Sequence, residues 1–313
     1  VSLISRLTPP LLFAFGATCS LAAHAAPISL GAAGSYNVLA FGDFTATNSD
    51  VEGAVAVGGD LTAVNYSINS RLHAAGNTAL VVGGDLDLRG QINGGEVWVG
   101  GSTANGATLH NAQAVGGASP VDFAALQSEL QALSLSLSQT AATGTFVQQY
   151  GGLVLTAQHQ AIEYFSLDAL DLLVNYGSIV DAAAGATIIM NVSGSSVALS
   201  QNFPAALKGF NVLYNFYEAT TLNLQGIEIH GSILAPYATL TGGSGQINGN
   251  VVVANWDAQI EAHSNGYFQP VGGDMPRIPD VEVEVGEVPE PATLALLAIG
   301  AVALRASRRR AAR

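Results

Sequence analysis

Short apolar stretches that run into paired glycines dominate the middle of the chain. Val57-Gly58-Gly59-Asp60 returns as Val82-Gly83-Gly84-Asp85, as Val99-Gly100-Gly101-Ser102 and as Val115-Gly116-Gly117, at offsets of 25, 17 and 16 residues. Before these glycines stand apolar segments of strand length: Val51 with Ala54-Val55-Ala56-Val57, Leu80-Val81-Val82, and Val97-Trp98-Val99. A second echo pairs Gln91-Ile92-Asn93-Gly94 with Gln246-Ile247-Asn248-Gly249. Strands ended by glycines, where φ must be free, predict a mainly β, solenoid-like domain of stacked Gly-rich rungs. The irregular period speaks against a strict short-repeat array. Further strands are predicted over 161–166, 187–192, 211–217, 222–224, 227–234 and 250–254.

One segment breaks the β pattern. Phe123, Leu126, Leu130, Leu133 and Leu137 recur at helical spacing and predict one amphipathic helix over 120–139, packed alongside the strands. Ser119 reads as its N-cap, Pro120 as its first helical residue, and Asp122 as the return arm of a capping box.

Composition narrows the class. Only 11% of the 313 residues are charged, against 49% hydrophobic and 36 glycines. That excludes disorder, and no interior apolar run is long enough for a multi-span membrane protein. All 23 acids lie between Asp43 and Glu290, where only Arg71, Arg89, Lys208 and Arg277 oppose them, so four minus 23 leaves −19 against −13 for the whole chain. Such a surface repels phosphate backbones and excludes nucleic acid as a partner.

The ends read as addresses. Arg6, an apolar stretch over 11–23 and Ala23-His24-Ala25 predict a secretory signal over 1–25, cleaved between Ala25 and Ala26. The single cysteine, Cys19, leaves with it, so the mature chain offers no disulfide, thiol nucleophile or cysteine metal site. A β domain over 26–270 is followed by an acidic Pro/Val linker over 271–287. Val288-Pro289-Glu290-Pro291 then precedes an uncharged run over 292–304, with Arg305, Arg308, Arg309 and Arg310 behind it. As a helix that run covers about 20 Å of a hydrocarbon core of about 30 Å, enough for a short membrane stop held by its arginines. Motif, short helix and basic tail over 288–313 resemble the PEP-CTERM sorting signal. The resemblance implies an exosortase-type processing enzyme as partner, a transient membrane contact through this helix alone, and the surface or matrix of a Gram-negative, exopolysaccharide-making bacterium.

Candidate chemistry in between is thin. His73, His110, His159, His230 and His263 are isolated in sequence, and no Ser-centred elbow or HExxH pattern occurs. Asp43, Asp50 and Glu52 form the nearest carboxylate cluster, in turn-rich sequence rather than across a cleft. No catalytic, cofactor or metal residues are assigned, and the chain reads as non-enzymatic. Asp60 and Asp85 of the Gly-Gly-Asp turns, with Asp43, Asp50 and Glu52, supply oxygen atoms of the kind Ca²⁺ takes, although no EF-hand or RTX spacing accompanies them.

Two stretches carry a wider resemblance. Residues 36–44 with Ser49-Asp50-Val51-Glu52-Gly53 and Val55-Ala56-Val57-Gly58-Gly59 look like the opening of the choice-of-anchor A domain. Gly231-Ser232-Ile233-Leu234-Ala235-Pro236 and Gly245-Gln246-Ile247-Asn248-Gly249-Asn250-Val251 look like its close. Coverage from about 30 to 268 implies an adhesive extracellular β-solenoid joined to an exchangeable surface anchor. Extracellular polysaccharide or another surface is then the partner, with Trp98, Tyr214, Tyr217, Tyr237 and Trp256 as contacting aromatics. Trp98 and Trp256, set in Val-rich strands, read more readily as core. The alternative is ice binding on a flat face with rows such as Thr45-Ala46-Thr47 and Thr239-Leu240-Thr241. The Val-Gly-Gly rungs are not expected to continue those rows. A polysaccharide-acting enzyme ranks below both.

Overall fold

The computed structural model describes residues 28–71, 77–104, 106–199 and 203–272. Ala25, Ala26, His73, most of the acidic linker, Val288 to Pro291 and the arginines from Arg305 onward lie outside the described residues.

The first half of the chain forms β1 (Val38–Ala40), β2 (Phe44–Val51), β3 (Val55–Val57), β4 (Leu61–Ile68), β5 (Thr78–Val82), β6 (Leu86–Val99), β7 (Thr103–Ala104) and β8 (Thr108–Val115). Helix α1 (Phe123–Ser138) follows. The second half forms β9 (Thr145–Gln149), β10 (Gly152–Thr156), β11 (Ile162–Asp168), β12 (Tyr176–Val180), β13 (Thr187–Ser193), β14 (Ser196–Leu199), β15 (Asn211–Asn215), β16 (Thr221–His230), β17 (Ser232–Asn248), β18 (Val251–Ala258) and β19 (Glu261–His263). The architecture is mainly β, a parallel solenoid with one helix alongside.

Each rung turns two corners, so the strands stack into three parallel sheets. One rung runs through 232–235, 239–242 and 245–248 of β17, and the next through β18 and β19. Spatial order departs from chain order. The rungs of β1/β2, β3/β4 and β5/β6 stack outward to β7 and β8. After α1 the chain resumes beyond the other side and builds inward from β11 and β13 to β18. The two halves join in mid-stack, with Val38 paired to Val251 and Val51 to Ala262. The unequal glycine period arises within the first half, where the connection from Ile68 of β4 to Thr78 of β5 lengthens one rung.

The covered sheet is apolar on both sides. Val38, Val55, Leu80 and Val251 point inward, while Leu39, Ala56, Val81 and Val252 point outward beneath α1 and the Leu30–Tyr36 segment. A strand buried on both faces needs a continuous apolar run, as in Leu80-Val81-Val82 and Val251-Val252-Val253. The other two sheets bury one side only and alternate, as in Leu222-Asn223-Leu224.

Helix α1 packs by Leu126, Leu130 and Leu137, with Phe123 and Leu133 half-buried beside them. Asp122 caps it, accepting from Ala125 N at 3.0 Å. The predicted Ser119 cap is corrected: its hydroxyl is spent on Val121, donating to the carbonyl at 2.7 Å, so a local turn precedes the helix. Inside, Asn215 Nδ2 donates to Ser134 O and to Asn191 Oδ1, and Asn191 Nδ2 donates to Leu137 O. Buried amides thereby fix the last turns of the helix to two rungs.

The predicted strand at 161–166 appears one residue later, and that at 211–217 stops at Asn215. The small sheet of β9, β10 and β12 escaped prediction, because its outer positions are exposed and its apolar pattern is weak. Its Leu153 and Leu155 are fully buried in the main core. Ile28 and Val271 exchange backbone hydrogen bonds of 2.8 and 3.0 Å. Among the described residues, both cores lie between Ile28 and Val271.

Candidate functional site

The glycine pairs have a local cause. A Cβ on Gly59, Gly84 or Gly101 would stand 2.1–2.3 Å from the carboxylate Oδ1 of Asp43, Asp60 or Asp85 on the preceding rung. Each carboxylate folds over the glycine beneath it to accept the next N–H: Asp60 N donates to Asp43 Oδ1, Asp85 N to Asp60 Oδ1 and Ser102 N to Asp85 Oδ1, at 2.7–2.9 Å. Asn255 starts the ladder by accepting from Asp43 N at 2.9 Å. The Ser102 N–H, then the Ser102 hydroxyl, hold the Asp85 carboxyl below the usual carboxylate range. These oxygens clip rungs together. The predicted cluster does not assemble, since Asp50 and Glu52 stand around a corner from Asp43, on another sheet. Among the described residues no group of three or more His, Cys, Asp or Glu is placed to hold a metal ion.

Beside this ladder lies an open sheet with a polar outer surface. Neighbouring strands align Asn223, Thr241, Asp257, Thr45, Thr62 and Asp87 in one outward row. A second row runs through Ser196, Thr221, Thr239 and Asn255. Parallel strands set the groups in a row about 4.8 Å apart, and successive outward residues on a strand stand about 6.6 Å apart. Lateral hydrogen bonds hold the array: Asn223 Nδ2 donates to Thr241 Oγ1 at 3.0 Å, and Thr221 Oγ1 to Ser196 Oγ at 3.0 Å. A cleft of about 150 Å³ opens at the corner of this sheet, lined by Thr45, Thr47, Asp257 and Gln259. The Thr-x-Thr pattern is not repeated on the Val-Gly-Gly rungs, as expected: Thr62 stands beside Thr45, but Val64 stands beside Thr47, and Asp87 and Arg89 follow on the next rung. Strand periodicity shows each threonine pointing outward; only the rung order shows that they align.

The aromatic candidates divide. Trp256 and Tyr214 are buried, Trp256 stacked on Phe44 at 5.5 Å and Tyr214 on Phe216 at 6.3 Å, so neither contacts a partner. Burial pushes the Tyr214 hydroxyl up. Trp98 is half-buried against the helix-side core and donates to Gly117 O at 3.0 Å. Tyr217 is half-buried, whereas Tyr237 is 44% exposed where β17 bulges between Ala235 and Thr239.

The third sheet carries charge. Glu52 is buried and receives Arg71 Nε at 2.9 Å on one oxygen and Ser264 N at 3.0 Å on the other. His263 stands 3.0 Å from Glu261 and 4.0 Å from Glu52, and His230 stands 3.3 Å from Glu228. Sequence separation hid the partners of Glu52, whereas Glu228 with His230 and Glu261 with His263 are neighbours two residues apart on one strand face. With both oxygens engaged, Glu52 fastens a corner.

The sequence model of an ice-binding-like adhesive domain matches residues 29–264, nearly the full solenoid. A PEP-CTERM protein-sorting motif matches residues 287–310. No curated protein matches the chain. Among solved structures, an ice-binding protein from the Antarctic ascomycete Antarctomyces psychrotrophicus is 15% identical, with a TM-score of 0.33 over 75% of this chain and 95% of that one. An ice-binding protein from an Antarctic biological consortium is 10% identical, with a TM-score of 0.31 over 85% of this chain and 97% of that one.

Proposed function

The chain belongs to the ice-binding-like adhesive domain family, and from that premise we propose that it is a non-enzymatic adhesin whose open threonine sheet holds extracellular polysaccharide. The sorting motif marks an exported, surface-associated protein and implies processing by an exosortase. The finer reading follows the choice-of-anchor pattern, an adhesive domain joined to an exchangeable anchor, on a Gram-negative cell surface.

The observation that carries the proposal is the lattice of Thr, Asn and Asp side chains on a sheet that nothing else in the described chain covers, next to a sheet covered by α1 and the Leu30–Tyr36 segment. Hydroxyl, amide and carboxylate groups at regular spacing suit the hydroxyls of a sugar chain, and exposed Tyr237 at the bulge suits stacking on a sugar ring. Asp257 and Arg89 interrupt the lattice with charge, which polysaccharide tolerates and an ordered water plane does not.

A second reading, ice binding, rests on the adjacent Thr45 and Thr62 and on the pairing of Thr221 with Thr239. One pair of variants separates the two. Thr45→Val with Thr62→Val keeps shape and strand propensity but removes two hydroxyls, each worth about 0.5–1.5 kcal/mol. Retention on the producing cell's exopolysaccharide is expected to weaken roughly 5- to 100-fold with the melting temperature unchanged. Thermal hysteresis by the wild type without polysaccharide retention would replace the adhesin reading with the ice-binding one.

A further inference from the structure

The two ends of the solenoid are finished differently. At the β11 end, the small sheet lays Leu153 and Leu155 into the core, with Phe146 and Ile179 packed beside them. Beyond β8 no described element follows. A hollow of about 300 Å³ opens there, lined by Leu86, Ile92, Val97, Val99, Leu109 and Val115. Leu109 is 41% exposed, although its partner Ile92 on the previous rung is fully buried. The outermost rung, β7 and β8, pairs only with β6. Its other edge therefore presents backbone donors and acceptors, as an edge strand ready for pairing does. Stacked repeats ordinarily close such an end with a polar cap.

Charge identifies the occupant. Residues 97–121 contain no Asp, Glu, Lys or Arg, in a chain whose middle carries −19. Two copies of so acidic a protein repel one another over most of their surface, and this end is where that repulsion is smallest. A contact between identical ends also sets the geometry: a two-fold axis through the edge places one β8 antiparallel to the other, the orientation in which two edges complete each other's ladder.

We propose that a second copy of this chain docks on the open end, β8 to β8, so that two solenoids join head to head and their hollows close on one another. The proposal is independent of what the threonine sheet binds. Sedimentation equilibrium on residues 26–272, up to ~100 μM to reach weak interfaces, tests it. The wild type is expected at twice the chain mass. Leu109→Lys with Ala114→Lys, which sets cations at two exposed positions of the end, is expected to halve that mass with unchanged circular dichroism and melting temperature. Tyr150→Ser, at a 94% exposed position in the turn between β9 and β10, is expected to leave the dimer intact. A wild type that stays monomeric, a mass that climbs past two without a plateau, or a dimer that survives the lysines would each overturn the proposal.

Discussion

Gly83 and Gly116 occupy the same place in the same sequence motif, yet alanine is expected to act oppositely at the two. A Cβ on Gly83 would stand 2.2 Å from Gly58 O and 3.0 Å from Gly58 C, both backbone atoms with no rotamer to give way. Ordinary contact requires the rungs to part by about 1 Å. That stretches the bonds from Gly83 N to Val57 O at 2.7 Å and from Gly84 N to Gly59 O at 2.9 Å. Losing both costs about 1–3 kcal/mol, and forced overpacking adds about 1–3 kcal/mol. Gly83→Ala is therefore expected to destabilise by roughly 2–6 kcal/mol, a fall in melting temperature of about 5–20 °C for a domain of this size. At Gly116 nothing lies within 4 Å of the added carbon, and its φ is not positive. Gly116→Ala is then expected to be neutral or to stabilise by up to about 1 kcal/mol through the unfolded chain. Calorimetry on both variants of residues 26–272 decides. Equal melting temperatures would refute the stacking argument, because Gly83 is stacked on Gly58 whereas Gly116, one register off the glycine column, is stacked on nothing.

Two further predictions concern acid and sorting. Burial opposes ionisation of Glu163, but hydrogen bonds from the Thr143 hydroxyl, Gln160 N and Gln158 N, with the charge of His159, outweigh it and hold its carboxyl below the ordinary value of 4.5. A depressed folded-state pKa stabilises above the unfolded value and loses that contribution as pH falls through the folded one. Glu163→Gln is thus expected to melt below wild type at pH 7 and to converge with it below the ordinary Glu range; a gap that persists at low pH would count against this account. In a host with an exosortase, the mature protein is expected to lack residues after about 291, and Pro289→Ala with Pro291→Ala to leave the full-length form in membranes, because a proline restricts both its own φ and the residue before it and alanine does not. Identical mass and location for wild type and variant would overturn the sorting assignment.

The legible part of this fold is what a rung shows locally. Continuous apolar triplets mark the covered sheet, and alternation marks the exposed ones. The Leu126, Leu130 and Leu137 stripe marks the helix, and the echo of Gln91-Ile92-Asn93 in Gln246-Ile247-Asn248 marks one rung position, with Ile92 and Ile247 both buried in the core. What stayed hidden depends on which rungs touch. Nothing local says that Val251 lies against Val38, or that Asp257 lies between Thr241 and Thr45, because that contact forms only after the chain has doubled back along α1. Trp256 is core, as its Val-rich strand suggested, whereas Tyr214, offered as a contacting aromatic, is buried too. Trp256 and Thr45 occupy adjacent registers of neighbouring strands, one inward and one outward, and only the pleat separates a core ring from a surface hydroxyl.

The mid-stack junction also bears on how such a domain is displayed. Rungs stacked in chain order would leave the two ends of the chain at opposite tips of the solenoid. Here Ile28 and Val271 meet beside the seam of the two halves, and both pack against the helix-side core. The described chain therefore ends beside the covered sheet and at neither tip of the solenoid. The covered side, the exposed lattice and the uncharged open tip are three separate surfaces of the described solenoid. The doubled-back topology makes them so: the helix that carries the chain from one end to the other also packs, beside the Leu30–Tyr36 segment, over the covered sheet.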